Sequence, residues 1–165
     1  MPSAVRRLDI EARIVAVTRR TASVVELREA LHPVKAYIDD AFALINTKEL
    51  PEDVRNRVVP GFCRSAIEAA CHEVVRRRNL TKGLPNEEIE DRLIRAGTLS
   101  KTAALAFFDD EDRAGDVMNR LNQWGGWAGD AFKIVNKGAH AGYSGDLSRL
   151  ARHVQSMCEK VLMLK

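Results

Sequence analysis

Asp146-Leu147-Ser148-Arg149-Leu150-Ala151-Arg152-His153-Val154-Gln155-Ser156-Met157-Cys158-Glu159-Lys160-Val161-Leu162 is the stretch that decides the fold. Leu147, Leu150, Ala151, Val154, Met157, Cys158, Val161 and Leu162 recur three and four apart, forming one apolar stripe opposite a charged face. A helix of that kind must lie against other elements to cover its stripe. Ser144 and Asp146 both stand where an N-terminal cap belongs.

Working back from this helix, the same period fills the chain as far as His32. Pro33 suits a first helical position, with Val34, Tyr37, Ile38, Ala41, Phe42 and Ile45 on one side. Leu50-Pro51-Glu52-Asp53 opens a helix that Pro60-Gly61 is expected to end, because an interior proline lacks an N–H and crowds the preceding turn. A new helix then carries Phe62, Cys63, Ala66, Ile67, Ala70, Cys71, Val74 and Val75 to Arg78. Its alanines permit close approach, which places it at the centre. Pro85 starts a helix through Ile89, Leu93 and Ile94 that Gly97 stops. Ser100 is expected to cap Lys101 to Phe108, and Asp109 a helix with Val117, Met118 and Leu121. Trp124-Gly125-Gly126-Trp127 breaks the chain before helix 127–139, which Gly138 is expected to close.

The first thirty residues differ. Arg13–Thr18 and Ala22–Leu27 are rich in β-branched residues and read as a hairpin around Arg19-Arg20-Thr21, with a helix from Val5 to Leu31 as the alternative. The expected fold is therefore all-α: a helical bundle over 32–165, with a short N-terminal β-hairpin or linker helix in front. Residues 1–31 read as a linker or the tail of a preceding domain.

A chain of 165 residues, 45% hydrophobic and 30% charged, suits one domain with a real core. No run approaches the roughly 18 apolar residues of a membrane span, and Met1–Arg7 is no apolar leader, so a cytoplasmic protein without a membrane partner is expected. Cys63, Cys71 and Cys158 lack the CxxC spacing of a zinc site and read as buried thiols; no metal or cofactor is expected. The glycine-rich phosphate loop, GxSxG and HExxH are all missing. A net charge of +3 permits a polyanionic partner. Arg76-Arg77-Arg78 reads either as favourable charge at a helix C-terminus or as a nucleic-acid contact. Asp109-Asp110-Glu111-Asp112 reads as acids at a helix start, with a hard cation as the alternative.

The candidate chemistry lies just before the last helix, in Asn136-Lys137-Gly138-Ala139-His140-Ala141-Gly142-Tyr143-Ser144-Gly145-Asp146. With Lys133, it gathers an imidazole, two lysines, an amide and a phenol within about three helical turns. A neutral imidazole beside fixed cations moves protons on a phosphodiester without a metal. On the central helix, Arg64, Glu68 and His72 are four apart. The simplest reading is a pair of intrahelical ion contacts, but Arg and Glu are rarely buried unless paired, so this strip is expected to face a groove or interface.

An all-helical bundle with an Arg-x-x-x-Glu strip and a polar set leading to a histidine before its final helix resembles the HEPN superfamily. Members carry an arginine, four to six intervening residues and a histidine, often with asparagine beside the arginine. Active members use it to cleave RNA without metal, usually across a dimer. Here the basic position is Lys133 or Lys137, and the tighter register puts Val135 where arginine belongs. The resemblance implies His140, Lys133, Lys137 and Asn136 as catalytic residues, and Arg64, Glu68 and Tyr143 as substrate contacts. It also implies RNA and a second copy of the chain as partners, in a toxin or phage-defence effector. A second resemblance spans roughly Pro33 to Leu162. Phe62–Ala70, Ala104–Asp110 and Asn136–Tyr143 look like the C-terminal region of bacterial SMC-like or RecF-like ATPases. It implies a P-loop ATPase domain or subunit as partner, and a non-catalytic dimerisation or partner-binding module as the alternative function.

Overall fold

The computed structural model describes residues 15–21, 24–29 and 32–165, and for the first two segments, Ala139 and His140 the description stops at the backbone. Between His32 and Pro33 the chain divides into two compact units. In the first, β1 (Val15–Thr21) pairs antiparallel with β2 (Val24–Glu29), with Val15 opposite Glu29 and Arg19 opposite Val25. Both described strands end later than the sequence pattern suggests, Thr21 joins the first instead of the turn, and Ala22 lies outside the described residues. Arg13 and Ile14 lie outside the described residues.

The second unit is an all-α bundle. Its elements are α1 (Pro33–Asn46), α2 (Glu52–Thr81), α3 (Asn86–Ala96), α4 (Leu99–Phe108), a 3₁₀ turn (Glu111–Asp116), α5 (Val117–Asn122), α6 (Gly126–Ala141) and α7 (Leu147–Leu162). The stripe that dictates α7 is buried at Leu150, Ala151, Val154, Met157, Cys158 and Val161. The Asp146 carboxylate caps it, accepting the Arg149 N–H at 2.8 Å. Among the described residues, no helix is long and apolar enough to cross a membrane.

The centre is α2, which packs against α1, α3, α4, α6 and α7. Its 30 residues form one helix, where the sequence suggested two. At 1.5 Å per residue it is about 45 Å long. Pro60 lies inside it, buried. A proline at this position leaves the carbonyl four residues back, on Asn56, without its intrahelical donor. The Tyr143 N–H supplies one at 2.8 Å, from the turn after α6. With that acceptor satisfied from outside, the helix continues through its proline.

Other helix ends also correct the sequence reading. The cap of α4 is Thr98, whose hydroxyl accepts the Lys101 N–H at 3.3 Å, so Leu99 enters the helix and is buried. Asp109 ends α4 at φ 59° instead of starting a new helix. It pairs with Lys82 at 2.5 Å and Arg92 at 3.0 Å. Asp110 is the cap that follows, accepting the Asp112 N–H at 3.0 Å. Gly138 does not close α6, which ends at Gly142 with φ +77°. Gly138 is interior because it packs on Pro60: a Cβ there would sit 3.0 Å from the Pro60 Cβ.

The arginine triplet is used within the fold, Arg76 on a carboxylate of α3 and Arg77 and Arg78 at the ends of helices other than their own. Arg76 grips Glu90 of α3 at 2.6 and 2.8 Å. Arg77 donates to the Leu162 and Leu164 carbonyls at the end of α7, at 2.9 and 2.5 Å. Arg78 donates to Leu105 O at 3.2 Å and Ala106 O at 2.9 Å in the last turn of α4, and to Lys165 O at 2.9 Å. The last carbonyls of a helix have no intrahelical donor and carry partial negative charge. A guanidinium fork answers both needs at once, and three in succession tie α2 to α3, α7 and α4. Hydrogen bonds from a charged donor are worth about 1.5–3 kcal/mol each, less where solvent reaches them. Arg78→Ala should lower stability to urea by about 2–3 kcal/mol. Arg78→Lys should recover less than half, because an ammonium cannot span carbonyls from two segments.

Candidate functional site

The polar segment before α7 becomes the second half of α6 and the turn behind it. Lys133, Asn136 and Lys137 are exposed on α6. Residues three and four apart lie side by side on a helix, so these three share one face. His140 follows Asn136 by one turn of the same helix, and its side chain lies outside the described residues. Lys133 and Lys137 have no side-chain partner among the described residues.

From α2, Arg64 reaches this face. Its Nη1 stands 3.5 Å from Asn136 Oδ1, while its Nε donates to Glu68 Oε1 at 2.9 Å. Both side chains of that ion pair are partly shielded, with 22% and 34% of their surface exposed. The strip therefore faces α6 across a shallow, solvent-reached seam. Glu68 fixes the guanidinium on one edge, Asn136 meets it on another, and Nη2 has no bond to the described residues. The arrangement offers a planar donor beside two ammonium groups, which suits one phosphate better than an acyl or metal chemistry. Arg64, Glu68, Asn136, Lys133 and Lys137 thus come from two helices to one region.

Tyr143 has a different position. It is half-buried against the core, and its backbone N–H holds Asn56 O. Its ring lies over Gly145, where any Cβ would collide with the phenol. Gly142 lies against Arg57, 3.4 Å from its Cγ to where a Cβ would stand. The glycines of the segment are thus accounted for by packing. Arg57, the Asn56–Tyr143 bond and the packing of Pro60 on Gly138 are what the sequence reading missed; Pro60, read there as a helix end, was their only trace.

His72 extends the Arg64–Glu68 strip toward Arg76. Burial first, and then the Arg76 charge, hold its imidazole below its ordinary value, against the opposing pull of Glu68 and Glu90. The Arg76 hydrogen bond in turn holds the Glu90 carboxyl low. At Asp109, burial acts to raise the carboxyl, and Lys82 and Arg92 outweigh it.

The thiols are core. Cys63, Cys71 and Cys158 are all buried, and burial pushes Cys63 and Cys71 up to about 12. Among the described residues, no three His, Cys, Asp or Glu side chains gather closely enough to hold a metal ion. The acidic run is divided between the end of α4 and the first turn of the 3₁₀ segment.

Two consequences are measurable. A valine at 138 would drive branched carbons into the buried Pro60 ring, so Gly138→Val should cost about 1–3 kcal/mol in urea unfolding. An imidazole with a lowered folded value binds its proton more tightly in the unfolded chain. Its contribution to stability is complete above about pH 6.5 and is lost as pH falls through the lowered folded value. The urea midpoint should therefore drop on acidification below about 6.5, before the carboxylates titrate, and His72→Gln should flatten that part of the curve.

In comparisons with protein-family models, curated proteins and solved structures, nothing matches this chain.

Proposed function

We propose that the helical unit is a HEPN-like endoribonuclease that needs no metal and acts in the cytoplasm as a homodimer, in a toxin or phage-defence system. One observation carries the reading: Arg64 approaches Asn136 across the α2–α6 seam, beside two lysines that have no side-chain partner among the described residues. The family pattern wants an arginine ahead of its histidine, often beside an asparagine, and in this sequence the basic position is Lys133 or Lys137. Arg64 supplies the missing planar fork from the opposite helix.

The chemistry follows from residue type. His140 takes the proton from the ribose 2′-hydroxyl as its oxygen attacks phosphorus. The bond from phosphorus to the 5′-oxygen breaks, and that oxygen takes up a proton, from imidazolium or water. The products are a 2′,3′-cyclic phosphate and a free 5′-hydroxyl. Lys133, Lys137 and Arg64 oppose the charge that grows on the phosphate oxygens. Asn136 orients the phosphate, Glu68 holds Arg64, and a second copy of the chain contributes the other wall of the groove.

A second reading has its own support. Pro60, Gly138 and the Tyr143 N–H explain the glycine-rich segment by packing alone. That favours a non-catalytic module that dimerises or couples a P-loop ATPase, with residues 1–31 as the connection to it.

Cleavage of mixed cellular RNA in EDTA separates the two. The wild-type protein should leave cyclic-phosphate ends. His140→Ala should lose about 10²–10⁴ in rate. Arg64→Lys should lose activity although it keeps the charge. Equal inertness of folded wild type and His140→Ala would sink the nuclease and leave the module.

A further inference from the structure

Three helices meet at the turn 142–146, and two of them, α2 and α7, each bring an arginine with no role in the chemistry above. The last turn of α6 and the first turn of α7 flank that five-residue connection. α2 reaches the same end through Asn56, whose carbonyl holds the Tyr143 N–H. Arg57 follows directly, and its side chain lies against Gly142. Arg149 stands in the first turn of α7; its N–H bonds Asp146, and its exposed side chain has no partner among the described residues. Arg57 leans on Asp53, its Nε donating to the Asp53 carbonyl at 3.3 Å and its Nη2 3.5 Å from the carboxylate, with both side chains more than two-thirds exposed. An exposed pair of this kind is worth little and yields to a stronger anion.

We propose that Arg57 and Arg149 extend the Lys133–Asn136–Lys137 face on either side of the turn, so that the site takes several successive phosphates of a single-stranded RNA. This rests on the ribonuclease reading above. The chemistry of the surface favours a phosphate backbone over an acidic protein. Protein interfaces are anchored by buried aromatic or aliphatic side chains inside a polar rim. The exposed positions Lys133, Asn136, Lys137 and Arg149 offer charge and an amide with no such anchor. Guanidinium forks match the paired oxygens of a phosphate, and lysines act between them as point charges. Such a track recognises backbone and not base, so it is indifferent to sequence and sensitive to salt.

The test uses the whole chain and a labelled single-stranded 2′-O-methyl RNA, whose blocked hydroxyl prevents cleavage while binding is followed by anisotropy. Arg57→Gln and Arg149→Gln should each weaken binding several-fold, equally for different sequences. Each should lower the slope of log Kd against log salt by about 0.7. Both residues are exposed, and circular dichroism checks that the variants keep their helices. Unchanged affinity and slope in both folded variants would overturn the proposal. Polyglutamate bound as tightly as the RNA, and released by the same substitutions, would overturn it in favour of an acidic protein. Cleavage by wild type with unchanged slopes removes this proposal and leaves the nuclease standing. Fallen slopes without any cleavage remove the nuclease and leave the RNA-binding surface.

Discussion

Everything in the helical unit depends on one carbonyl. Pro60 leaves Asn56 O open near the start of α2, and an acceptor shielded from water and left unpaired costs about 1–3 kcal/mol. The Tyr143 N–H closes it at 2.8 Å. That single bond lets α2 run unbroken past its proline, and it fixes where α6 ends and where the turn to α7 begins. Gly138 then has to be small, because the proline ring fills the space over it. The backbone that carries Asn136 and His140 is therefore positioned by a defect in another helix. A candidate site built in this way is held from behind and stays open in front.

The same logic of unsatisfied backbone governs the far end of α2. Arg76, Arg77 and Arg78 look from the sequence like a basic patch awaiting a polyanion. In the fold they are donors to Glu90 and to carbonyls at the ends of α4 and α7. Lys82, Arg92 and Asp109 add a second tie among α2, α3 and the end of α4. Charge density along the sequence is thus a poor map of charge available to a ligand. Among the described residues, Lys133 and Lys137 on α6 and Arg149 on α7 are exposed cations without such ties.

What was legible in the sequence was what depends on neighbours along the chain. The stripe of α7, its Asp146 cap, the Gly97 stop and the burial of the cysteines all follow from residues within a turn or two. What was not legible depends on distant partners. Pro60 reads as a helix end unless a donor arrives from residue 143. Thr98 wins the α4 cap over Ser100 because Leu99 is drawn into the core, and Asp109 is held at the end of α4 by Lys82 and Arg92. For the candidate site, the residue types on α6 were legible, and so was the Arg64–Glu68 pair. The approach of Arg64 to Asn136 spans 72 residues, and no local pattern encodes it.

The placement of sulfur has a practical corollary. The chain has three cysteines, and all three lie in the core among helices that must separate before a reagent arrives. With burial also disfavouring the reactive thiolate, maleimide chemistry at neutral pH will pass over the native molecule. One cysteine introduced on the outer face of α6 would then be the single handle for a fluorophore or spin label. The native thiols would need no removal, and their own slow modification would clock how often the bundle opens.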